Sequence, residues 1–87
     1  MVSEGLALSL DEEADVLYVR MRDRRLLSSR VAPSDSFLIL NTDAAGNIVG
    51  LQVLYASELK TSWARHPDRA LVPAPLANAI DEWVARG

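Results

Sequence analysis

The chain has no cysteine, a single histidine and no glycine-rich phosphate loop. The missing thiols exclude disulfide stapling, thiolate catalysis and most structural zinc sites. Together the three absences leave covalent, zinc and nucleotide chemistry without support, so neither a metal nor a cofactor is expected. A chain without thiols suits a reducing compartment, which makes the cytoplasm the expected location. The opening residues, MVSEGLALSL, carry neither a basic segment nor a long apolar run, so no signal peptide and no membrane span is expected. A formal charge of −3 lacks the net basic surface that displaces counterions from phosphates, which argues against nucleic acid as a partner.

What is present suffices for one small core. A chain of 87 residues closes a single domain, 1–87, and such a domain hides only about 60–65% of the surface its unfolded chain exposes. A partner surface would therefore matter. At 49% hydrophobic and 24% charged, the composition is that of a chain that folds.

Leu6, Leu8 and Leu10 alternate with Ala7 and Ser9, the period of a strand with one buried side. After DEEA, the run DVLYVRMR sets Leu17, Val19 and Met21 against Val16, Tyr18, Arg20 and Arg22, so Leu6 to Arg22 reads as a hairpin. SFLILN reads as an inner strand covered on both sides. TDAAGN, with Asp43 to start a turn and Gly46 to take positive φ, leads into IVGLQVLY, a second hairpin in which Gly50 marks a bulge. Between the hairpins, LLSSRV reads as a short edge strand ended by Pro33.

The C-terminal part reads as helical. Ser57 is the expected N-cap of a short helix, ELKTSWAR, which Pro67 stops by Arg65 or His66, and PDRALVPAP follows as extended linker. PLANAIDEWVARG then places Leu76, Ile80, Trp83 and Val84 on one stripe, with Pro75 in the first turn and Gly87 just past the end. A dozen residues do not hold as a lone helix, so this one must dock, with Trp83 as its anchor. The fold class expected is α+β: a small antiparallel β-meander of four to five strands over residues 5–55, made of two hairpins, and a helical segment over 57–87 giving one or two helices on one face.

DEEADVLYVRM followed by NTDAAGNIVGLQVLYAS resembles the small prokaryotic family called domain of unknown function 2283. Its members read D-x-x-A-D-x-L-Y-[IV] and, after a variable middle, D-x-x-G-x-[IV]-[IV]-G-[IVL]-E-[IVL]-[LF]-x-A-S. The matching positions are Asp11, Ala14, Asp15, Leu17, Tyr18 and Val19, then Asp43, Gly46, Ile48, Val49, Gly50, Leu51, Val53, Leu54, Ala56 and Ser57. The sequence departs at Leu10, at Gln52 where Glu is common, and at Tyr55. The resemblance implies a compact, mostly antiparallel β-fold without an established reaction. It also implies accessory proteins, some of them like the small antitoxin-like partners encoded beside basic nuclease-type toxins.

Three site hypotheses stand against structural readings. The acidic corner Asp11, Glu12, Glu13 and Asp15 lacks the glycine of a calcium loop, so a solvated turn is preferred to a metal-dependent enzyme or hydrolase; Asp11 and Asp15 would bond backbone amides there. Ser62, His66 and Asp68 have a hydrolase-like spacing, but Pro67 removes the rigid orientation a triad needs, and His66 is expected to be exposed. Arg20, Arg22, Arg24, Arg25 and Arg30 form a basic stripe. Pairing with acids such as Glu12 is preferred to nucleic-acid contact, because no aromatics are interleaved with it.

The sheet itself carries the stronger expectation. With Leu6, Leu17, Val19, Phe37, Ile39, Val49, Leu51 and Val53 facing the last helix, Val16, Tyr18, Leu38, Leu40, Ile48 and Leu54 form a second apolar surface; wrapping by the Leu26 to Val31 segment is the alternative, and a free surface is preferred because that segment is short. The expected function is a non-enzymatic association module, binding a second copy of itself or a small basic protein partner through that surface.

Overall fold

The alternating leucines form β1 (Leu6–Asp11), which pairs antiparallel with β2 (Val16–Met21). Leu6, Leu8 and Leu10 stand opposite Met21, Val19 and Leu17, and directly opposed residues share a face, so the pairing is as the periodicity predicts, but only Leu6 is buried; Leu8 and Leu10 are exposed on this edge strand. The computed structural model describes residues 5–86, and Gly87, expected past the helix end, lies outside them. β3 (Ser28–Val31), β4 (Leu38–Thr42) and β5 (Ile48–Leu54) complete one antiparallel sheet in the order β1-β2-β5-β4-β3. The last strand thus lies in the middle, where β2 offers the edge that β1 leaves free, and residues 22–27 carry the chain to the far edge. LLSSRV supplies that edge, and β3 ends before Pro33, whose nitrogen has no proton for a ladder.

Asp43 shapes the β4–β5 turn. Its Oδ1 accepts the Ala45 and Asn47 amides, both at 2.9 Å, and Gly46 takes φ 86°, the left-handed position this three-residue loop requires. Beyond the turn Thr42 opposes Ile48 but Asn41 opposes Gly50, so Val49 is an inserted residue and the bulge sits immediately before Gly50. Gly50 also answers a steric demand, since a Cβ there would stand 3.1 Å from the Val19 carbonyl oxygen and 3.2 Å from Asn41 Oδ1.

That one inserted residue reverses the expected orientation of β4. An unbroken ladder from the turn would set Ile39 against Leu51, whereas the bulge sets Leu38 against Val53 and Leu40 against Leu51. Leu38 and Leu40 are accordingly fully buried in the core, and Ile48, carried to the same side as Thr42, packs against it half-buried. Phe37 and Ile39, expected under the helix, stand on the opposite face.

β5 runs directly into α1 (Ala56–Ser62) through Tyr55, which adopts left-handed φ 54°. A 3-10 turn, Trp63–Arg65, follows, and His66 is extended ahead of Pro67, so the helical run stops where the proline predicts. The expected extended linker instead contains a second 3-10 turn, Arg69–Leu71, flanked by buried Asp68 and Val72. α2 (Ala74–Arg86) buries Leu76, Ala77, Ile80 and Trp83 and leans Val84 on the same cluster, the docking its stripe predicts. It lies against β1, β2 and β5. Each of Leu17, Leu38, Leu40 and Leu51 in the core contributes roughly 1.5–3 kcal/mol of burial. The largest fully buried side chain is Trp63, whose indole N–H donates to Asp81 at 2.7 Å while Arg69 clamps both oxygens of the same carboxylate. Among the described residues no helix is long and apolar enough to cross a membrane.

Candidate functional site

The helices cover one side of the sheet, and every buried helical side chain among the described residues belongs to the cluster on that side. The register defines what the other side presents. Asp11, Val16, Leu54 and Phe37 form a first row across the strands, closed by the Leu54 N–H donating to the Phe37 carbonyl at 2.8 Å. Ser9, Tyr18, Gln52, Ile39 and Val31 form a second, and Ala7, Arg20, Gly50, Asn41 and Ser29 a third. The first two rows are mainly apolar, with Tyr18 41%, Phe37 48% and Val31 57% exposed. Tyr55 extends the first row, its ring meeting that of Phe37 edge-on at 4.8 Å. A left-handed backbone is rare for so bulky a residue, and it directs a half-exposed aromatic ring onto this face.

Of the residues expected to form this surface, Tyr18 is exposed on it, Leu54 is half-buried, and Val16 points to the same side but is buried. Leu38, Leu40 and Ile48 are on the covered side for the reason given by the bulge. Phe37, Ile39, Val31 and Tyr55 take their place.

The acidic corner is structural at two of its four carboxylates. Asp11 Oδ1 accepts the Ala14 amide at 3.1 Å, closing the hairpin turn. Asp15, at φ 57°, accepts the Ser57 amide (3.0 Å) and the Ser57 hydroxyl (2.6 Å), and its carbonyl accepts the Ala56 amide (2.8 Å). Ser57 is therefore not the N-cap. Asp15, 42 positions away, supplies the capping carboxylate to α1, and the first and last motifs of the sequence meet at that bond. Glu12 and Glu13 are exposed beside it. Among the described residues no group of three or more His, Asp or Glu side chains is placed to hold a metal ion.

His66 is buried rather than exposed. Its Nδ1 accepts the Asp68 amide at 3.1 Å, which leaves the proton on Nε2 to donate to Asp35 at 2.8 Å. Asp68 in turn accepts the Ser34 amide at 3.0 Å, so the cluster ties the β3–β4 loop to the segment before α2. Ser62 donates instead to the Glu58 carbonyl, and both ring nitrogens of His66 are engaged elsewhere, so the three residues do not form a triad. The sequence marked His66 and Asp68 but not Asp35 and Ser34, which lie 31 and 34 positions from them.

At the opposite end of the β1–β2 hairpin, Arg20 lies on the open face, and Arg22, Arg24 and Arg25 follow in the exposed turn. Arg24 reaches Asp43 at 3.7 Å rather than pairing with Glu12. The Asp43 carboxyl is held below its usual value, chiefly by the Asn47 amide; desolvation opposes this, while the Ala45 amide, the Asn47 side chain and Arg24 reinforce it.

Comparison with characterised proteins and with solved structures finds no significant match to either. The model of one family, described as protein of unknown function (DUF2283), matches residues 8–57, which run from β1 to the Asp15–Ser57 bond, and the chain belongs to that family.

Proposed function

We propose that the protein is a non-enzymatic self-association module, a homodimer built through the open face of its sheet. The observation that carries this reading is the pair of apolar rows holding Val16, Tyr18, Phe37, Ile39 and Leu54, opposite the face that the chain's own helices cover. A contiguous apolar patch on a small domain is an association surface, and one self-complementary patch suffices for a twofold dimer. The strained Tyr55 and its contact with Phe37 support the reading, since they hold an aromatic rim at the edge of the patch. The employment of Asp11 and Asp15 as turn and cap ligands supports a structural rather than a catalytic role for the acidic corner.

Sedimentation velocity over a concentration series tests it. Wild type is expected to sediment as a dimer and Ile39→Arg as a monomer, with the two circular dichroism spectra superimposable. A wild type that stays monomeric throughout would remove self-association and leave the face to another occupant, of which a small basic protein is the candidate.

A further inference from the structure

We infer that the two copies stack open face to open face with their strands reversed, so that the acidic corner of each lies over the arginine end of the other. The inference rests on the self-association reading and adds to it an orientation set by charge. Asp11, Glu12, Glu13 and Asp15 gather where β1 turns into β2, and Arg20, Arg22, Arg24 and Arg25 gather where β2 ends. At the acidic end Asp35 adds to the charge, close to Phe37, whose amide it accepts at 2.9 Å. At the basic end Asp23 and the Arg24–Asp43 pair offset part of the arginine charge, and the balance stays positive.

Six residues at about 3.3 Å each separate these ends by roughly 20 Å. That is about twice the Debye length of ~10 Å at 0.1 M salt, so each end presents its own sign to a partner. Twofold stacking of two sheets places the axis in the interface plane. An axis along the strands would bring acid onto acid and arginine onto arginine, whereas an axis across them pairs each end with its opposite. With its axis between the two apolar rows, the second arrangement lays the first row of each copy over the second row of the other and the acidic corner over the row that holds Arg20, turning two repulsions into two attractions.

The area points the same way. Five strands about 4.8 Å apart and roughly 20 Å long make about 400 Å² in projection. That is about half of the ~800 Å² per partner of a standard interface, so a contact of standard size has to reach past the strands to the charged ends.

Because the chain has no cysteine, Glu12→Cys and Arg22→Cys each provide a single thiol for a short bis-maleimide. The reversed arrangement predicts strong cross-linking when the two variants are mixed and little within either alone. It also predicts that Arg20→Glu combined with Arg22→Glu weakens the dimer about tenfold at low salt and less at high salt. A wild-type dimer in which Glu12→Cys links preferentially to itself would overturn the orientation and leave self-association standing. A monomeric wild type would overturn both.

Discussion

Both faces of this sheet carry apolar side chains on β2, β4 and β5, and they differ in what covers them. On one side Leu17, Val19, Leu38, Leu40, Leu51 and Val53 meet Trp63, Leu76 and Ile80, and all are nearly inaccessible. On the other, Tyr18, Ile39, Phe37 and Leu54 stand at the same strand positions shifted by one, with no helix over them. Apolar character alone therefore does not locate a core; the helices choose one face, and the face left over is the association surface proposed above. Neighbouring residues on β4 should then respond to substitution in opposite ways.

The largest effect belongs to the covered face. Leu40→Asp places an unpaired carboxylate among buried leucines and should cost more than about 3 kcal/mol, a large share of what a small domain has. Thermal melting should show the cooperative transition lost or strongly depressed. Ile39→Asp, one residue away and half-buried, should cost only about 1 kcal/mol in its monomeric state. A comparable loss in both variants would break the distinction between the faces.

Next comes the polar tie beneath the covered face. Asp81→Ala removes the acceptor of the Trp63 indole and the partner of Arg69. Urea denaturation should show a loss of about 1–3 kcal/mol, because a part-buried donor is left unpaired. Asp15→Ala, which uncaps α1, should cost about 1–2 kcal/mol and lower the melting temperature accordingly, while Asp15→Asn keeps an acceptor and costs less.

The smallest effect is expected at the β4–β5 turn. Asp43 has a lowered carboxyl pKa in the folded chain, so its contribution is fully present above its ordinary value of 3.8 and disappears as pH falls through the folded value. Wild type and Asp43→Asn should therefore differ in melting temperature near neutral pH, and the difference should close below about pH 4. A constant offset across that range would place the effect in turn geometry instead of ionisation.

Much of the architecture was legible because it depends on near neighbours. The β1–β2 hairpin, the Asp43–Gly46 turn, the stop before Pro67 and the stripe on α2 all follow from residues within a few positions of each other. The orientation of β4 was not. Its sequence is apolar on both sides, so only pairing with β5 decides which side is buried, and a bulge at Val49 shifts that pairing by one. Gly50 signalled the bulge, but nothing local shows that the extra residue precedes it and rotates Leu38 and Leu40 inward. Val16, Tyr18 and Leu54 point to the side expected of them because β2 and the end of β5 contain no such insertion.

By itself, then, the order of amino acids determined the strands, the turns, the stop before Pro67, the stripe on α2 and family membership, since periodicity, turn chemistry and proline act over short stretches of backbone. Three-dimensional packing decided the rest: which leucines of β4 lie under the helices, that Asp15 rather than Ser57 caps α1, and that His66 is buried between two aspartates. Each of those outcomes joins residues far apart in the chain, and their free energy exists only once the sheet has brought them together.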